Sequence, residues 1–239
     1  ERFSLDSQLG AGSFGLVVKA HQIALNRQVA IKFLLNKETG QLEALKRFKR
    51  EAQTLAKLRH PNIVQVFEFG ADNGIAFIVE ELLEGCSLEE YLAQYGTMPV
   101  NDSLEVVKAL AKGLSLAHQS GIIHRDIKPA NVFICNSEYK LVDFGLVSTM
   151  TDETQITATN GVVGSPTYMA PEQLLGCEPA ASMDIYALGE LLYEMLTSSP
   201  PFDANDCVEL ISKKLNDKAK PLELSVQTKL PKGLSELVA

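Results

Sequence analysis

Apolar positions recur along this chain with two different periods, and the switches between them mark its elements. Leu16-Val17-Val18 and Val29-Ala30-Ile31-Lys32 are extended, β-branched runs and predict strands. The glycine-rich stretch before Leu16 makes the first of them half of a strand-turn-strand hairpin. From about Gln41 to Arg59, Leu45, Phe48, Ala52, Leu55 and Leu58 recur at helical spacing and predict a helix that His60-Pro61 ends. Val64–Phe69 and Ile75–Val79 predict a second hairpin around Ala71-Asp72-Asn73-Gly74. The helical period returns from Asn101 to Gln119. Asn101, Asp102 or Ser103 can cap that helix, and Leu104, Val107, Leu110, Ala111, Leu114 and Ala117 form its expected buried stripe. Ser120-Gly121 ends it. A largely apolar helix runs from Ser182 through Leu196 and is closed by Pro200-Pro201-Phe202.

One polar run breaks this pattern: His124-Arg125-Asp126-Ile127-Lys128-Pro129-Ala130-Asn131. Ile122-Ile123 lead in and Val132-Phe133-Ile134 lead out, so a tight loop between buried strands is expected. A general base, a cation for phosphate and a carbonyl-type metal ligand within one loop are the parts that phosphoryl transfer requires. A solvated turn could hold the same charges. It would not be followed, after the strand-like Tyr139-Lys140-Leu141-Val142, by Asp143-Phe144-Gly145. Upstream, Gly10, Gly12 and Gly15 show G-x-G-x-x-G spacing, which dinucleotide-binding domains share. Those need a helix directly after the glycines, and here the chain stays extended. Together these motifs resemble the eukaryotic-like (Hanks-type) protein kinase superfamily, in particular its bacterial serine/threonine members.

The resemblance implies an α+β, bilobal fold. Residues 1–80 would form a small antiparallel-β lobe with one main helix and 81–85 the hinge. Residues 86–239 would form a mostly helical lobe, expected to lack its C-terminal end. It implies ATP and Mg²⁺ as cofactors, protein substrates as partners, and transfer of the γ-phosphate to serine or threonine hydroxyls. Asp126 would orient the hydroxyl and accept its proton, Lys128 would steady the γ-phosphate, and Asn131 and Asp143 would hold Mg²⁺. Gly10, Gly12, Gly15, Val17, Ala30, Lys32, Glu81, Leu83, Ser87 and Phe133 would line the nucleotide, with Val17 over the adenine, Leu83 offering backbone groups and Ser87 near the ribose. Lys32, in the V-A-I-K strand, would meet the α- and β-phosphates and pair with Glu51. Such a pair about 4 Å apart is worth up to roughly 4 kcal/mol at an effective dielectric near 20, before desolvation.

After Asp143-Phe144-Gly145 comes a threonine-rich stretch closed by Ala170-Pro171-Glu172, which resembles an activation segment. Thr157 and Thr159 stand eight and six residues before Ser165, as paired threonines do in bacterial serine/threonine kinases. They are expected to be phosphorylated, by self-association of two copies, with Arg125 as the phosphate clamp. Lys128-Pro129-Ala130-Asn131 is the serine/threonine-type continuation. Ala130 gives no support to a basophilic preference.

The chain departs from the family in two places. Counting back from Gly85 puts Glu80 behind the adenine, where an apolar or hydroxyl-bearing residue is usual. A carboxylate there needs a partner, either Lys32 in competition with Glu51 or the adenine amine; with the count off by one, Glu80 would be a solvated hinge residue. The arginine that pairs with the A-P-E glutamate is not found, so Glu172 is expected to lack its partner.

Composition narrows the function classes further. Net charge is −8 and pI near 5.1, which disfavours nucleic acid or an anionic membrane as partner. An apolar fraction of 46% suffices to bury a core. Cys86, Cys135, Cys177 and Cys207 are scattered without a C-x-x-C pair, which fits a reducing, cytoplasmic compartment better than a disulfide or zinc framework. No apolar run nears the ~18 residues that span a bilayer, and no signal peptide is seen. Glu1 in place of a start methionine is expected of a domain from a larger protein, whose membrane segment would lie outside it. Two other readings compete: a pseudokinase that signals by shape, and small-molecule phosphotransfer. The first needs a lost catalytic group, yet Lys32, Glu51, Asp126, Asn131 and Asp143 are all present. The second sits poorly with the A-P-E triplet.

Overall fold

Extended, β-branched runs dominate the first third of the chain, and they fold as strands. In the computed structural model, which describes residues 2–12, 15–34, 52–72, 75–135, 138–144, 166–204, 206–222 and 230–238, β1 (Phe3–Gly12) turns back into β2 (Gly15–Gln22). There follow β3 (Arg27–Leu34), β4 (Val66–Asp72) and β5 (Ile75–Glu81). The five form one antiparallel sheet in the order β1-β2-β3-β5-β4.

Because side chains alternate across a strand, register sorts them by face. Val18, Ala20, Val29, Ile31 and Val79 are buried on one face, with Phe33, Phe67 and Phe77 packed against them. On the other face Val17 pairs with Lys32, Lys32 with Ile78, and Ala30 with Glu80. Ile78 is there part of the main core, with Ala52, Leu55 and Val66. Most of the helix expected over 41–59 lies outside the described residues; its last turn, 52–55, is present.

The chain next stitches itself to the larger half. Leu141 N donates to Asn62 O (3.0 Å), Val64 N to Leu141 O (2.9 Å) and Asn62 Nδ2 to Tyr139 O (2.8 Å). That half holds β6 (Cys86–Ser87), α1 (Leu88–Tyr95), α2 (Val100–Gln119), β7 (Val132–Cys135) and β8 (Glu138–Leu141). It continues with α3 (Pro171–Leu174), α4 (Ala181–Thr197), α5 (Cys207–Asn216) and α6 (Leu234–Val238). The short strands pair in the order β6-β7-β8. Helix α4 is apolar on nearly every side and accordingly buried, with Met183, Leu188, Leu191, Leu192, Met195 and Leu196 all inside.

Two expectations for α2 need correction. It begins at Val100 with Pro99 as its N-cap and no side-chain cap, so Asn101, Asp102 and Ser103 are already inside the helix. Its buried stripe is Ser103, Val106, Leu110, Gly113, Leu114 and Ala117, while Leu104, Val107 and Ala111 are only partly buried. Small residues rotate the stripe. A Cβ at Gly113 would lie 3.2 Å from Asn62 O, so the main chain of 62–63 packs where a larger side chain would stand. Ser103 is buried and donates to Pro99 O at 3.1 Å.

Candidate active site

The polar run at 124–131 is a loop anchored from below by one carboxylate. Asp184, buried on α4, accepts from His124 N (2.9 Å) and Arg125 N (2.8 Å) and meets His118 Nε2 at 2.7 Å. Three donors compensate a carboxylate that would otherwise be costly to bury. The grip holds Arg125 in the left-handed region, at φ 67°. His124 is fully buried. Its ring packs on Phe144 with centroids 4.5 Å apart, Nε2 meets Val142 O at 3.0 Å, and Nδ1 accepts from Asp126 N at 3.3 Å. Burial holds this imidazole below its usual pKa, against the opposing pull of Asp184 and Asp126.

That scaffold presents Asp126. Asn131 Nδ2 donates to Asp126 O (2.7 Å) and Oδ2 (2.8 Å), and Lys128 Nζ lies 2.8 Å from the same Oδ2. With its side chain 25% exposed, Asp126 is both oriented and reachable. Val142 N donates to Asn131 O at 3.0 Å, so Asp143 follows directly from a strand tied to the loop. Asp143 has φ 54°. Its Oδ1 takes Lys32 Nζ at 2.5 Å, an ion pair that joins the sheet to the larger half.

Glu80 lies inside β5, opposite Ala30 and Val66, on the face of Lys32. It is therefore not a solvated hinge residue. Burial pushes its carboxyl up to about 7; the Asp143 charge adds to the rise and Lys32 opposes it. The neighbouring Glu81 is the one with ordinary partners. Its Oε1 accepts from Gln65 N (2.8 Å), and Lys140 Nζ bonds both its oxygens at 2.9 and 3.0 Å.

A carboxylate held by an amide and a lysine, together with a second one paired to a lysine of the sheet, can be set against known proteins. The family model described as the protein kinase domain matches residues 3–237. The chain belongs to this family. The kinase domain is similar to serine/threonine-protein kinase PrkC of Bacillus subtilis, at 39% identity over 90% of this chain and 33% of that protein. It is similar to a probable serine/threonine-protein kinase of Clostridium acetobutylicum, at 38% over 92% of this chain and 34% of that protein. To PknL of Mycobacterium tuberculosis it is 33% identical over 100% of this chain and 59% of that protein. The chain thus spans about a third of the length of the first two.

Within the kinase domain, Gly15, Val17, Ala30 and Lys32 share one face of the sheet, and Gly10 pairs with Val17 across β1 and β2. Gly12 pairs with Gly15 at the hairpin's end. Leu83 is partly buried in the irregular stretch between β5 and β6, and Phe133 on β7 pairs with Ser87. Ser87 Oγ accepts from Glu90 N at 3.1 Å while Glu90 Oε2 accepts from Ser87 N at 2.8 Å. The residue expected near the ribose is thus also the cap of α1. Glu51, Thr157 and Thr159 lie outside the described residues, so the Lys32–Glu51 pair and the paired threonines do too. Glu172 has a partner of a different kind from the missing arginine: Ser182 Oγ donates to it at 3.2 Å.

Three groups escaped the sequence reading. His118 contacts Asp184, Gln173 Nε2 donates to Arg125 O at 2.9 Å, and Lys214 is buried on α5. Only Lys214 left a trace: it falls four residues after Leu210, on the inward side of an amphipathic helix. A group of three or more His, Cys, Asp or Glu residues able to hold a metal is absent among the described residues. The donor set at Asn131 and Asp143 nonetheless fits Mg²⁺, which takes one or two protein oxygens and fills its octahedron with phosphate and water. Asn131 spends its amide nitrogen on Asp126, so its amide oxygen is the atom that would meet the ion.

Proposed function

We propose that this domain transfers the γ-phosphate of ATP to serine or threonine hydroxyls of proteins. The observation that carries the reading is the setting of Asp126, with Asn131 and Lys128 both 2.8 Å from its Oδ2. In this reading Asp126 receives the acceptor hydroxyl and takes its proton. Lys128, beside the same oxygen, neutralises the γ-phosphate as it arrives. Lys32 holds the α- and β-phosphates from the sheet, with Glu51 as its second partner. The glycines at 10, 12 and 15 let backbone approach the phosphates. Val17, Ala30, Leu83 and Phe133 enclose the adenine, with main-chain groups of Glu81 and Leu83 at its edge. Asn131 and Asp143 hold Mg²⁺, which when bound neutralises charge on the phosphates.

Similarity to serine/threonine-protein kinases supports serine/threonine specificity. The activation-segment reading assigns Thr157 and Thr159 to phosphorylation by a second copy and Arg125 to the phosphate clamp. Residues 1–80 and 86–239 are read as the two lobes and 81–85 as the hinge. No described helix is long and apolar enough to cross a membrane, and a cytoplasmic site of action is inferred from the thiol usage. Incubation with radiolabelled ATP, Mg²⁺ and casein tests the reading. Parent protein should label casein and Asp126→Asn should not; equal labelling by both would remove this site from the chemistry. Mass spectrometry of the parent tests Thr157 and Thr159.

A further inference from the structure

A cation sits in the core of the larger half, away from the Asp126 loop. Lys214 has a side chain 0% exposed. Its Nζ lies 2.7 and 2.9 Å from the two carboxylate oxygens of Glu190 on α4, 2.6 Å from Thr167 O and 2.8 Å from Met169 O. An ammonium has three hydrogens, so one is shared by the two Glu190 oxygens. The ring of Tyr186 lies 5.1 Å away. Tyr168, between the two held carbonyls, donates its hydroxyl to Glu194 Oε2 at 2.6 Å. The turn Pro166–Tyr168 and Met169 are thereby pinned to α4 and α5 from both sides.

Joining two helices does not require this arrangement. Apolar residues of similar volume commonly replace a buried ion pair at no loss of stability. What they cannot supply is a donor to two main-chain carbonyls, and holding residues 167 and 169 together fixes the backbone between them. This backbone adjoins the base. Ala170 O caps α3 by accepting from Gln173 N and Leu174 N at 3.0 Å, and Gln173 reaches the carbonyl of Arg125, next to Asp126. Through Gln173 the segment 167–173 is thus tied to the main chain directly beside Asp126.

We propose that Lys214, with Glu190 as its counter-ion, is a positioning residue for the protein substrate: it fixes the main chain at Thr167–Met169 as the shelf that receives the acceptor segment. The proposal rests on the kinase reading above, and none of Lys214's bonds reaches the Asp126 loop.

The decisive variant is Lys214→Met combined with Glu190→Leu, which leaves no lone buried charge. Its melting midpoint should fall by a few degrees, because Thr167 O, Met169 O and the Tyr186 hydroxyl lose their partners, while the protein stays folded and the amide exchange of α4 changes far less than that of Met169. Met169 N, bonded to Pro166 O at 3.2 Å, should exchange about tenfold faster or more, and KM for casein should rise by a similar factor with KM for ATP unchanged, as expected for lost bonds from a charged donor. Glu190→Gln keeps an oxygen for the ammonium and leaves it both carbonyls, so Met169 exchange and casein KM should stay within about twofold of the parent. A double variant with parental Met169 exchange and parental casein KM would overturn the proposal, as would a loss in Glu190→Gln as large as in the double variant. A parent that labels no casein would instead refute the kinase reading, and the exchange comparison would still decide the role of Lys214.

Discussion

Glu80 couples the sheet to the larger half through charge, and pH exposes that coupling. Its carboxyl, ordinarily near 4.5, is raised to about 7, first by burial, then by Asp143, with Lys32 opposing. Between those two values the folded protein keeps a proton that the unfolded chain has already released. The folded state binds more protons there, so stability falls as pH rises through this window and the penalty is complete above about 7. At about 1.4 kcal/mol per unit, the full penalty approaches roughly 3 kcal/mol, an upper value for a residue that is only partly buried. Glu80→Gln keeps the shape and removes the charge. Urea denaturation of parent and variant from about pH 5 to about pH 8 should show a stability gap that widens with pH in favour of glutamine, up to about 3 kcal/mol. A gap that stays constant would refute the reasoning, because it would mean that folded Glu80 stays ionised and that Lys32 leaves Asp143 to pair with it.

Three further outcomes are expected. Asp126→Asn should lower casein labelling about 10²- to 10⁴-fold while ATP affinity, read by a fluorescent analogue, stays near parental. Asp184→Ala removes the acceptor from His124 N, Arg125 N and His118; unfolding free energy should drop by about 3 kcal/mol or more by urea titration, and an unchanged value would deny the carboxylate its anchoring role. Gly85 has φ 150°, and an added Cβ would run into the carbonyl of Ile134. Gly85→Ala should therefore cost about 2–3 kcal/mol, whereas Gly96→Ala, strained by φ 80° but open in space, should cost less in the same titration.

Strands and loop order were legible in the sequence because their signals are local. β-Branched runs, a glycine hairpin and a proline-bound polar loop each declare themselves within a few residues. The inward face of α2 was not, because Ser103 and Gly113 carry no apolar signal; Ser103 turns its hydroxyl back onto the main chain at 98–99, and Gly113 packs against the chain at 62–63, far away in sequence. Glu80 was legible as an oddity, yet its placement depended on a strand register that runs to Glu81. The contact of Lys32 with Asp143 spans 111 positions and no local pattern encodes it. Lys214 was passed over for the opposite reason: a lysine near a helix's C-terminal end usually signals a solvated dipole partner, and here the neighbouring Lys213 fills that exposed role.

The stitching of residues 62–64 onto β8 has a consequence for anyone who would divide the molecule. Severing the chain after Gly85 would not yield two self-sufficient pieces. The first fragment would carry away Asn62 and Val64 and strip the edge of β8, and Lys32 and Asp143 would be parted onto separate polypeptides. Co-expressed, the same fragments hold complementary main-chain edges and opposite charges, which is the equipment a split reporter needs to reassemble.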